Sequence, residues 1–92
     1  MACANACHIL VATEEKCLKL KDELASGADF AAVARTNSLC PSRMRGGDLG
    51  TFRQGDMVPE FDAAAFSGEI GTVLGSVKTE FGYHLLLVTS RW

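Results

Sequence analysis

Two runs of this chain are apolar on both faces: residues 6–11 (A-C-H-I-L-V) and residues 83–89 (Y-H-L-L-L-V-T). A strand of that kind belongs inside a sheet, covered on both sides, rather than at an edge. The two runs lie at opposite ends of 92 residues, so one sheet with both of them central must gather the whole chain. Each run carries one of the chain's two histidines, His8 and His84. If the strands are neighbours, the two imidazoles meet. A lone histidine in a strand is ordinarily a hydrogen-bonded core residue. Two of them in adjoining central strands are candidates for a site.

The segment between the strands is punctuated clearly. Thr13 is a good N-cap, and Glu14 and Glu15 suit the positive end of a helix dipole. Cys17, Leu20 and Leu24 recur at helical spacing, and Gly27 is a natural stop. This predicts a helix over 13–26. Asp29 caps a second helix with Phe30, Val33 and Ala34 inward, ending near Asn37. Pro41 prevents simple continuation, so 38–45 is expected to be a loop, with room for one short helical turn. A strand over 48–52 follows. Pro59 opens a third helix, with Phe61, Ala64 and Ala65 inward and Gly68 at its end. A strand near 73–78 and a turn over 79–82 lead into the last strand. The order is β-α-α-β-α-β-β. Helices and strands do not alternate strictly, so an α+β sheet with mainly antiparallel pairing is expected. The length predicts one domain over 1–92.

Residues 38–61 hold four of the nine glycines and both prolines. Gly46, Gly47, Gly50 and Gly55 mark tight turns. Leu49, Phe52, Met57 and Phe61 supply apolar surface beside them. That is the composition of a small binding cleft, or equally of a glycine-rich loop between two core elements.

Charge and cysteine usage exclude several classes. The formal net charge is −2 and no basic block exists, so nucleic acid is not an expected partner. No apolar run approaches the length of a membrane helix. Residues 1–11 make a poor signal peptide, which points to a cytoplasmic protein with reduced thiols rather than disulfides. Cys3, Cys7 and His8 lie close together, but C-x-x-x-C-H matches no strong zinc pattern. In a strand, Cys3 and Cys7 share one face and His8 takes the other. No metal and no cofactor is expected. Cys3, Cys7 and Cys17 are read as structural or incidental.

Six segments carry a family resemblance: H-I-L-V at 8–11, G-A-D-F at 27–30, S-L-C-P-S at 38–42, R-G-G-D-L-G at 45–50, F-R-Q-G-D-M-V-P-E-F at 52–61 and F-G-Y-H at 81–84. In this order and spacing the chain resembles the parvulin-type peptidyl-prolyl cis–trans isomerases, in particular the small single-domain bacterial ones. The resemblance implies a parvulin/FKBP-like fold: a four-stranded antiparallel sheet wrapped by helices. It implies a catalytic group of His8, Cys40, Thr79 and His84, with Thr79 hydrogen-bonded toward the histidine pair. It implies a prolyl pocket of Leu49, Met57, Phe61 and Phe81. The partners implied are unfolded or flexible X-Pro polypeptides, with a monomer as the default.

Phospho-specific parvulins carry basic residues after the first strand. Here that segment is Ala12-Thr13-Glu14-Glu15, which repels a phosphate dianion. No phospho-specificity is expected, and targeting of substrates is expected to come from this cleft alone. The reaction needs neither cofactor nor bond cleavage. Two mechanisms fit: twisting of the prolyl amide in an apolar pocket with fixed hydrogen bonds, or transient addition of a Cys40 thiolate activated by histidine. The first is favoured, because the family also uses aspartate at that position. The alternatives to an isomerase are a proline-peptide-binding chaperone module without catalysis, and a metal or redox protein built on Cys3, Cys7, His8 and Cys17.

Overall fold

A computed structural model describes residues 2–92. The elements are β1 (Cys3–Val11), α1 (Glu14–Ala25), α2 (Phe30–Asn37), a 3-10 helix (Pro41–Arg45), β2 (Asp48–Arg53), α3 (Pro59–Ser67), β3 (Val73–Thr79) and β4 (Gly82–Arg91). The order of helices and strands is the one expected, with the short helical turn after Pro41 realised as the 3-10 helix.

The strands form one sheet in the order β2-β1-β4-β3, and each neighbouring pair is antiparallel. The two strands apolar on both faces are therefore the central pair. Their side chains alternate between two cores. Ala4, Ala6, Leu86 and Val88 join Phe52, Phe61 and Ala65 beneath α3. Ile9, Val11 and Leu85 join Cys17, Leu20, Val33 and Ala34 beneath α1 and α2. Leu85 and Leu86 are adjacent in sequence and both fully buried, yet they serve opposite faces.

Local chemistry sets the ends of the helices. Thr13 Oγ1 accepts from the Lys16 amide, and Asp29 Oδ2 accepts from the Ala32 amide, filling orphan donors at both N-termini. Gly27 follows α1 with a φ of 105°, as its role as a stop requires. Gly68 ends α3 without a left-handed turn. It is needed there for space, because a Cβ at that position would collide with the Leu74 side chain. Arg91 Nη1 donates to the carbonyls of Ala65 (2.9 Å) and Gly68 (2.7 Å), tying the end of β4 to the end of α3.

Both central strands run beyond their apolar cores. Asn5 Nδ2 donates to Ser90 Oγ at 2.9 Å, Thr51 Oγ1 donates to Asn5 Oδ1, and Thr89 Oγ1 donates to the Asn5 carbonyl. These cross-strand polar contacts carry β1 back to Cys3 and β4 on to Arg91, past the residues that hydropathy alone marks. The register shifts between Asn5 and Ala6 against Ser90 and Val88, so Thr89 forms a bulge.

Candidate active site

Antiparallel pairing of β1 and β4 sets His8 opposite Leu86 and Leu10 opposite His84. The histidines are thus two positions out of register and share the face that α3 covers. Their Nδ1 atoms approach to 3.2 Å, and the rings stack with centroids 5.4 Å apart. Phe61, from the first turn of α3, stands edge-on to both rings, at 5.6 Å from His8 and 5.5 Å from His84. The strand register, not local sequence, makes this a pair.

The segment between α2 and β2 completes the site. β2 pairs with β1 as far as Cys7. Beyond that point residues 38–47 take over. The His8 amide donates to the Gly47 carbonyl at 2.9 Å, the Leu10 amide to Ser38 Oγ at 3.1 Å, and the Leu39 amide to the Leu10 carbonyl at 2.8 Å. Gly47 has a φ of 87°, and a Cβ there would strike the His8 carbonyl oxygen. Only glycine lets the backbone approach β1 so closely. The 3-10 helix docked in this way brings Ser42 Oγ to 3.1 Å from His8 Nε2.

A hydrogen-bonded chain results: Ser42, His8, His84, Thr79. Thr79 Oγ1 lies 2.7 Å from His84 Nε2 and also accepts from the Phe81 amide at 3.2 Å. All four side chains are buried. Burial, and then the charge of His84, lowers the His8 pKa from 6.5 to about 4. Burial lowers His84 as well. Both rings are therefore neutral near pH 7. A neutral imidazole has one N–H and one lone pair, so the two tautomers are locked together. If Thr79 donates to His84, then His84 donates to His8 and His8 to Ser42; reversing one bond reverses all of them.

Above the pair lies a cleft of about 390 Å³, lined by His8, Leu10, Leu39, Cys40, Pro41, Leu49, Met57, Val58, Phe61, Phe81 and His84. With both rings neutral, none of these side chains is charged. The structure brings Leu49, Met57, Phe61 and Phe81 together, as the resemblance implies, and adds Leu10, Leu39, Pro41 and Val58. Leu39 and Phe81 are each 62% exposed and form an open apolar lip. Cys40 is on the wall, half-buried, but among the described residues its thiol is hydrogen-bonded to neither imidazole. His8 Nε2 is committed to Ser42 instead. Thr79 does not line this cleft; it acts on His84 from behind. Among the described residues, no group of three or more His, Cys, Asp or Glu side chains gathers to hold a metal ion.

Besides the lining residues Leu10, Leu39, Pro41 and Val58, reasoning from the sequence missed Ser42, which holds His8. Ser42 lies inside the S-L-C-P-S segment, directly after the proline. A buried serine on a short helix has no periodicity to betray it.

The family profile described as "Rotamase: PPIC-type PPIASE domain" matches residues 8–90. The chain is 49% identical over 88 residues to the "Foldase protein PrsA" of Halalkalibacterium halodurans, covering 95% of this chain and 26% of that protein. The crystal structure of the peptidylprolyl isomerase PrsA from Bacillus anthracis superposes with a TM-score of 0.96 at 37% identity, over 99% of this chain and 42% of that one. NmPin, the parvulin of Nitrosopumilus maritimus, superposes with a TM-score of 0.87 at 34% identity, over 98% of both chains. The chain spans about a quarter to a third of the length of the curated relatives it matches.

Proposed function

The chain belongs to the PPIC-type, or parvulin, family of peptidyl-prolyl cis–trans isomerases, and from that premise we propose that it accelerates rotation about X–Pro bonds in unfolded or flexible polypeptides. The observation that carries this reading is an uncharged apolar cleft floored by a neutral, hydrogen-bonded histidine pair.

The chemistry asks little. Amide resonance sets a barrier of about 18–20 kcal/mol for peptide-bond rotation. A thousandfold acceleration removes only about 4 kcal/mol. Leu49, Met57 and Phe61 hold the prolyl ring while the preceding carbonyl swings. The twisted amide has lost resonance and is less polar than the planar form. An apolar cleft therefore favours it over a ground state that water solvates better. The imidazole chain keeps its dipoles fixed, so they need not reorganise as the amide twists.

The mechanism is non-covalent. A thiolate pathway needs a base within hydrogen-bond reach of Cys40, and both imidazoles are engaged with each other, Ser42 and Thr79. The reading also excludes phospho-specificity, since among the described residues no cation lines the cleft.

The test is a nuclear magnetic resonance titration with a short Leu-Pro peptide. Exchange cross-peaks between its cis and trans forms, with shift changes at Leu49, Met57, Phe61 and Phe81, are expected. Binding without exchange makes the chain a proline-peptide-binding module instead.

A further inference from the structure

A second cleft, of about 500 Å³, adjoins the prolyl cleft and is lined by Val58, Pro59, Glu60, Lys78, Thr79 and Glu80. Val58 lines both. Thr79 forms part of its wall and is also the last side chain of the imidazole chain. The two clefts thus meet at Val58, which forms part of both walls. An extended peptide advances about 3.3 Å per residue. A peptide that holds proline in the first cleft and continues past Val58 would bring a neighbouring residue toward the second.

The two clefts differ in charge. The prolyl cleft has none. The second cleft has two carboxylates, Glu60 from the first turn of α3 and Glu80 from the turn between β3 and β4, against one ammonium, Lys78. All three are exposed, and among the described residues no ion pair joins Lys78 to either carboxylate. The balance is negative, and among the described residues no arginine lines either cleft.

We propose that this adjoining cleft is the subsite for the residue flanking proline, and that Glu60 and Glu80 make it select lysine or arginine there over acidic or phosphorylated side chains. The proposal rests on the isomerase reading and refines its substrate class to X–Pro segments with a cationic neighbour. Exposed charge pairs are weak and screened by salt, so the expected selectivity is about two- to fivefold at low ionic strength.

The test uses two peptide series, one with leucine, lysine, glutamate or phosphoserine before proline, the other with the same residues after it. The lysine-to-glutamate ratio of kcat/KM is expected to exceed about two in one series. It should fall toward one in the Glu60→Gln/Glu80→Gln variant and in about 0.5 M salt, and rise in Lys78→Gln. A ratio near one in both series, or one that survives the double substitution, overturns the proposal. The leucine peptides separate the two readings. If the native protein accelerates them without any charge preference, the subsite alone fails. If it accelerates none of the peptides, the isomerase reading fails with it.

Discussion

His8 Nδ1 faces His84 Nδ1 at 3.2 Å, and the outer nitrogens of the two rings are held by Ser42 and Thr79. The pair is thus closed at both ends. It has one spare place for a proton, since a doubly protonated pair sets two N–H groups head to head. This arrangement suits a fixed dipole array under the prolyl cleft rather than a relay to solvent.

Removing one ring should expose how much the pair supports the fold. His84→Leu leaves His8 Nδ1 without its partner in a buried setting and leaves Thr79 Oγ1 with the Phe81 amide alone. An orphaned buried group costs about 1–3 kcal/mol. The expected outcome is a melting temperature lower by about 10 °C or more, together with reduced isomerase activity. Thermal melting beside a rate assay checks this. Lost activity at an unchanged melting temperature shows that the pair contributes to catalysis and not to stability.

The pH dependence follows from the depressed pKa values. In the unfolded chain His8 titrates near 6.5; in the fold it titrates at about 4, and His84 is shifted the same way. The unfolded state therefore binds more protons through that interval. Stability is full above about pH 6.5 and falls as pH drops toward about 4, by about 1.4 kcal/mol per pH unit for each proton of difference. Urea unfolding midpoints at pH 7.5, 5.5 and 4.5 should decline in that order, and less steeply in a protein lacking His8.

Much of this was legible in the sequence, for physical reasons that particular residues make clear. Residues 6–11 and 83–89 show themselves as central strands because both of their faces are apolar. Thr13, Asp29 and Pro59 mark helix starts by local backbone chemistry. The histidine pair is foreseeable only as a consequence of strand adjacency, and its two-residue offset only once the register is known. Arg91 and Ser42 escape detection. Each acts on a partner far along the chain, Arg91 on the carbonyls that end α3 and Ser42 on His8 34 positions away. Neither leaves a periodic or local trace. Leu39 and Phe81 are exposed apolar residues whose place on the cleft's lip is set by two separate loops.

Cys40→Asp distinguishes the two mechanisms. Cys40 is half-buried on the cleft wall with its thiol free of both imidazoles, so an aspartate there removes a nucleophile without breaking the chain. Retention of most of the cis–trans rate is expected. Near-total loss with an unchanged circular dichroism spectrum supports covalent participation of the thiol.

Gly47 and Gly50 provide a matched pair. Both have positive φ, 87° and 70°. An alanine at either position pays the left-handed penalty of about 1–2 kcal/mol. At Gly50 the new Cβ meets nothing within 4 Å, whereas at Gly47 it strikes the His8 carbonyl. Gly47→Ala should therefore cost clearly more stability than Gly50→Ala in parallel denaturant titrations. It should also disturb the His8 ring signals. Equal costs show that the close approach of residue 47 to β1 is not needed.

The most direct measurement is the cis-to-trans rate of Leu-Pro and phosphoserine-Pro peptides with folded protein. An uncharged cleft over a neutral imidazole pair predicts acceleration of the leucine peptide and little or none of the phosphoserine peptide. No acceleration of the leucine peptide, or a preference for the phosphorylated one, contradicts it.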